Sequence, residues 1–199
     1  MTRRDVQRPT RADLEAAYGS VIPDLVGPTV RLLLVGINPS LYSGWSARHF
    51  ARPGNRLWRT LHEAGFTQRR LHPTETDEIL GVGLGITNLV ARATARADEL
   101  TADEIRAGVS PLRRLVAKLQ VPHVAFLGVT TYRVAFARPA AAIGLQPETC
   151  EGTAVWVLPN PSGLNAHYQQ PELTAAYTDL RRAVAARSRS FDNANGGRP

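Results

Sequence analysis

Apolar positions along the chain fall into four short continuous runs separated by amphipathic stretches. The runs cover residues 29–35, 84–90, 123–128 and 154–158. A continuous apolar run bounded by turn residues reads as a strand buried on both faces. Between the runs the spacing becomes helical. Thr10 caps a helix over residues 11–18. Asn55 caps one over 56–64, with Leu57, Trp58 and Leu61 on one face and Gly65 as its stop. Residues 74–80 form a short helix. Thr101 and Glu104 have capping-box spacing and open a helix that reaches about Leu119, interrupted near 108–111. Further helices are predicted over 130–136 and 171–186, with Pro171 in a first turn. Residues 41–54 read as a long loop carrying Tyr42, Trp45 and Phe50. Residues 138–148 read as an irregular connection. Strands alternating with helices predict a three-layer α/β/α sandwich around a mostly parallel sheet of four to five strands. The expected organisation is a mobile basic arm over 1–10, one domain over 11–186 and a disordered tail over 187–199.

Two of the apolar runs stop at the same polar turn. The first ends in Val35-Gly36-Ile37-Asn38-Pro39-Ser40. The last ends in Leu158-Pro159-Asn160-Pro161-Ser162-Gly163. Ligands of α/β proteins bind at the carboxyl ends of strands, so these loops are the candidate site. An asparagine is too weak a base to abstract a proton, but its amide can orient a water or hold a carbonyl. That suffices where the leaving group is good and the transition state dissociative, as in N-glycosidic cleavage. Backbone N–H groups near Ile37 and Phe50 suit a departing base's oxygens, and Phe50 suits stacking on its ring. Taken alone, Asn38 reads first as a turn residue closing its own bend, and Phe50 as a core anchor. In the second loop, Leu164 is a bulky apolar side chain on a polar tip, fit to wedge between base steps or to fold back on the core.

Composition narrows the partners. The chain has 199 residues, formal net charge +7, and all but one of its 24 basic residues are arginine. Such a balance favours polyanions, nucleic acid first. The single cysteine, Cys150, excludes an internal disulfide and multi-cysteine metal sites. His49, His62, His72, His123 and His167 are too scattered for a metal site. No apolar run approaches the roughly 20 residues of a membrane span. The N-terminus lacks a signal-peptide core, so a cytoplasmic, nucleoid-associated location is expected. A nucleoside or phosphate-ester enzyme with Gly36 to Ser40 as an anion loop is disfavoured, because the sequence has no Gly-Lys-Ser/Thr signature or metal-binding cluster.

Gly36-Ile37-Asn38-Pro39-Ser40, Pro53-Gly54-Asn55-Arg56-Leu57-Trp58, Gly85-Ile86-Thr87-Asn88-Leu89-Val90 and Leu158-Pro159-Asn160-Pro161-Ser162-Gly163-Leu164 together resemble the mismatch-specific uracil/thymine-DNA glycosylases. The resemblance runs from about Arg31 to Ala186. It implies the uracil-DNA glycosylase-like fold and a monomer acting, without a cofactor, on double-stranded DNA that holds uracil or a mismatched pyrimidine. It implies that Asn38 positions the attacking water. Ile37, Ser43, Phe50 and Asn88 would form the base pocket, with Ser43 beside the pyrimidine C5 edge. Asn160, Ser162, Gly163, Leu164 and Asn165 would form the wedge and opposite-strand contact. Two departures modify this. The family's bacterial members often carry an arginine two residues after the wedge; Ala166 stands there, so relaxed dependence on an opposite guanine is expected. No carboxylate accompanies the motifs, so Asn38 would act with little help and turnover would be slow. The one lysine, Lys118, lies far from both loops along the chain, so no Schiff-base strand nicking is expected. The competing reading is a non-catalytic mismatch or abasic-site binding protein.

Overall fold

The computed structural model describes residues 8–195, with side chains through residue 186. Five strands form one sheet: β1 (Leu32–Gly36), β2 (Leu84–Asn88), β3 (His123–Leu127), β4 (Gly144–Cys150) and β5 (Thr153–Leu158), in the order β2-β1-β3-β5-β4. All neighbours pair in parallel except β4, which runs antiparallel on the edge beside β5.

Alternation along each strand explains the two cores. Leu33 and Val35 of β1 join Val124, Phe126, Val155 and Val157 on one face. Leu32 and Leu34 join Leu84, Ile86, Ala125, Leu127, Trp156 and Leu158 on the other. Successive side chains point to opposite faces, so a strand covered on both sides must be apolar throughout. The first face is covered by α5 (Ala102–Ala107), α6 (Val109–Leu119) and α7 (Val129–Ala135). The second is covered by α3 (Leu57–Glu63), α4 (Thr76–Gly81) and α8 (Gln170–Asn195). Each leucine buried in this way stabilises the fold by about 1.5–3 kcal/mol. The sandwich and the mostly parallel sheet follow the reading of the apolar runs.

Several expectations are corrected. Residues 41–54 are not all loop: α2 (Leu41–Ser46) begins there, with the Ser43 N–H donating to Ser40 Oγ at 3.2 Å. The stretch over 138–148 contains β4, where the pairing register shifts between Leu145 and Thr149, around Pro147. Proline cannot donate to a ladder and is tolerated at such an edge. The last helix continues past residue 186, so the expected tail is helical in backbone to Asn195, and the rest of it lies outside the described residues. The arm over 1–10 lies outside them through Gln7, and α1 (Arg11–Ala16) starts at the predicted Thr10 cap. The long helix after Thr101 is broken at Gly108 into α5 and α6, at the predicted interruption.

β1 and β3 are neighbours, but the chain leaves β1 for β2 on one side and β3 for β4 and β5 on the other. This reversal makes a crevice at the carboxyl ends of the strands.

Candidate active site

That crevice is a cavity of about 630 Å³. It is floored by Ile37 and Asn38 after β1, Asn88 at the end of β2, Leu127 at the end of β3 and Asn160 after β5. Of the predicted site residues, Ile37, Asn38, Ser43, Phe50, Asn88, Asn160, Ser162, Leu164 and Asn165 all line it. Gly163 does not line it, but a Cβ there would sit 2.5 Å from the Gly54 carbonyl oxygen, so the glycine lets the two rims touch.

Asn38 does not close its own turn. Its Nδ2 donates to the Arg92 carbonyl at 3.0 Å and to Thr94 Oγ1 at 2.7 Å. A carbonyl can only accept, which fixes the nitrogen on that side. Thr94 Oγ1 donates in turn to the Arg96 carbonyl at 2.7 Å. Both amide hydrogens are therefore committed, and Oδ1 is the polar atom left without a partner among the described residues. The backbone stitches the same two segments together through Leu89 to Gly36, Val90 to Ile37 and Thr94 to Pro39. Arg92 anchors the far side by pairing with Glu104 at 2.6 Å. Its hydrogen bond holds the Glu104 carboxyl at about 2.

The pocket wall depends on Gly36. A Cβ there would lie 2.5 Å from Asn88 Oδ1 and 3.0 Å from Phe50 Cζ, so only glycine admits both groups. Phe50 holds a left-handed backbone at φ +50°, a conformation costing about 1–3 kcal/mol for such a residue. Trp58 Nε1 donates to its carbonyl at 3.2 Å, and Ala51 N donates to the buried Ser43 Oγ at 3.3 Å. His49, unremarked in the sequence reading as a pocket residue, is buried behind Asn88. Its Nε2 lies 3.0 Å from the Pro23 carbonyl and so carries the proton. Its Nδ1 then accepts from Asn88 Nδ2 at 3.4 Å. Burial lowers the His49 pKa from the ordinary imidazole value, which keeps it neutral.

The second loop closes on itself. Asn160 Oδ1 accepts from Ser162 N at 2.9 Å, Asn165 Nδ2 donates to the Asn160 carbonyl at 2.9 Å, and Ser162 Oγ accepts from Leu164 N at 3.2 Å. From outside, the Arg56 guanidinium donates to the carbonyls of Ser162, Asn165 and Tyr168 at 2.7, 3.1 and 2.8 Å. Arg56 N adds a bond to the Pro161 carbonyl at 2.9 Å. At the tip, Leu164 is 73 % exposed. It does not fold back on the core.

The rim also holds Arg52, and Arg96 paired with Asp98. Asp98 is a carboxylate at the cavity, outside the four motifs. Its hydrogen bond from Arg96 lowers its pKa, which makes it a poor base. Lys118, exposed in the last turn of α6, does not line the cavity. Thr94, His49 and Arg56 were missed because each acts through a partner distant in sequence. Arg56 alone carried a signal, its place in Pro53-Gly54-Asn55-Arg56-Leu57-Trp58.

Residues 23–181 match the model of the Uracil DNA glycosylase superfamily. The chain belongs to that superfamily. It is a DNA glycosylase domain by family, a hydrolase of N-glycosidic bonds acting on DNA. The fold is also that of a protein from Methanosarcina acetivorans, known from a solution NMR structure and provisionally described as a uracil DNA glycosylase. The two superpose with a TM-score of 0.55 at 17 % identity, over 82 % of this chain and 98 % of that one.

Proposed function

We propose that this superfamily member is a monofunctional, mismatch-type uracil-DNA glycosylase that flips uracil, and by extension thymine, out of mispaired duplex DNA and hydrolyses its N-glycosidic bond. The observation that carries the reading is the committed amide of Asn38. With both hydrogens held by Arg92 and Thr94, Oδ1 is the acceptor offered to a water. The water attacks C1′ as the bond to the base breaks. Charge develops as an oxocarbenium sugar and an anionic base, and the reaction needs the water held still more than it needs a strong base.

Base choice rests on Asn88. Neutral His49 takes its Nδ2, which leaves Oδ1 beside Gly36 at the pocket wall. An acceptor there suits the N3–H of uracil or thymine and opposes cytosine, whose N3 is an acceptor. Phe50 stacks on the ring, and Ser43 sits beside its C5 edge. Leu164 fills the gap left in the duplex, where unstacking costs a few kcal/mol per step. With Ala166 in place of an arginine, the opposite guanine is read weakly. The product is an abasic site in an unbroken strand, because no lysine lines the cavity.

A 5′-labelled duplex holding one uracil opposite guanine tests this. Strand cleavage only after hot alkali is expected. Excision opposite adenine at a comparable rate would support the weak reading of the partner base. Binding without base loss would favour a non-catalytic binding protein. Cleavage without alkali would contradict the monofunctional assignment.

A further inference from the structure

A second groove of about 800 Å³ adjoins the base cavity. The two share Ser40, Arg52 and Ala95, so they meet along one rim. It is lined by Arg8 just before α1, Leu14 within it, Tyr42 at the start of α2, and Arg52 and Pro53. Among the described residues, no acidic side chain lines it. The guanidinium groups of Arg8 and Arg52 are exposed and have no hydrogen-bond or ion-pair partner among those residues. Next to the shared Ala95, Arg96 on the cavity rim is already neutralised by Asp98. Among the described residues, the rim arginines without an acidic partner, Arg8 and Arg52, therefore both line the groove.

We infer that this groove is a binding subsite for the nucleotide next to the excised one on the lesion strand. The phosphate it shares with the flipped nucleotide meets Arg52, which lines both cavity and groove, its outer phosphate meets Arg8, and its base rests against Tyr42. Arginine forks match phosphate oxygens in pairs, and an aromatic platform between unpaired arginines holds an unstacked base whatever its identity. The occupant is a nucleotide because the groove is cationic, aromatic and continuous with a cavity that takes a flipped base. The inference rests on the base-removal reading of that cavity. It makes the enzyme use one flank of the lesion as a handle, in single strands as well as in duplexes.

The test uses the whole chain and short single strands. Non-cleavable 2′-fluoro-deoxyuridine bearing a phosphate on each side competes against a labelled uracil-containing strand. The same probe is then extended by one thymidine nucleotide, on the 5′ side or on the 3′ side. Extension on one side is expected to tighten binding about tenfold, and on the other side to change little. Arg8→Glu and Tyr42→Ala should each erase most of that gain while leaving the unextended probe unchanged. Arg8 is exposed, so its variant reads the groove even if Tyr42→Ala disturbs the packing. Equal gains from both sides, or a gain that survives Arg8→Glu, overturns the subsite. Deoxyuridine versions of the strands report base loss separately. Base loss without a one-sided gain contradicts the groove alone. A one-sided gain without base loss contradicts the cleavage reading and leaves the groove standing.

Discussion

The two Asn-Pro-Ser loops begin with the same residues and are built in opposite ways. After β1, the loop is stitched by its backbone to the segment following β2, and Asn38 reaches across to Arg92 and Thr94. What it presents is one polar atom in a fixed place. After β5, the asparagines and serine spend their side chains closing their own bends, and Arg56 grips the carbonyls from outside. What that loop presents is an apolar tip, Leu164. One loop is organised for chemistry on a single bond, the other for holding two bases apart. An identical motif thus says where a strand stops, while its neighbours decide what it offers.

The difference can be broken one side at a time. Asn38→Ala is the largest break: base loss from saturated complexes should fall by roughly 100-fold or more, the scale for losing one fixed polar group at a reacting centre. Duplex binding, read by anisotropy, should be spared. Arg56→Met keeps the side-chain stem but releases three carbonyls, and should slow excision from paired uracil by roughly 30-fold, since bonds to charged donors are worth about 1.5–3 kcal/mol each. An equal loss on single-stranded uracil would mean that Arg56 serves the pocket rather than the wedge. Thr94→Val removes one of the two partners of Asn38 Nδ2, and a roughly tenfold slowing is expected on paired and unpaired substrates alike. No change in single-turnover rate would show that Arg92 alone fixes the amide. Leu164→Ala should slow paired uracil roughly fivefold and unpaired uracil hardly at all.

The smallest effect concerns His49. Its folded pKa lies below that of the unfolded chain, so between the two values the unfolded state binds more protons. Stability then rises with pH, and it is lost as pH falls below the ordinary imidazole value of about 6.5. Urea midpoints at acidic and neutral pH should show that loss, and His49→Gln should flatten it.

Most of the sheet was legible because β1, β2, β3 and β5 are covered on both faces and must be apolar throughout. β4 was not, because an edge strand exposes Leu145 and Pro147 to solvent and interrupts its ladder. α2 was hidden by its own residues: Leu41, Tyr42 and Trp45 have helical spacing over barely more than one turn, among a glycine and serines that read as loop. At the site, the strand-end positions and motif order pointed to Asn38, Asn88 and Leu164. The contacts of Asn38 with Thr94, Asn88 with His49 and Arg56 with the second loop join residues 56, 39 and more than a hundred positions apart, and no local pattern encodes them.

The division of labour between the loops is tested most directly by the ratio of single-turnover excision rates on paired and unpaired uracil, measured for Asn38→Ala and Leu164→Ala beside the parent protein. The account predicts that Asn38→Ala lowers both rates together and leaves the ratio unchanged, while Leu164→Ala lowers the ratio. An Asn38→Ala protein that keeps its rate on either substrate would contradict it.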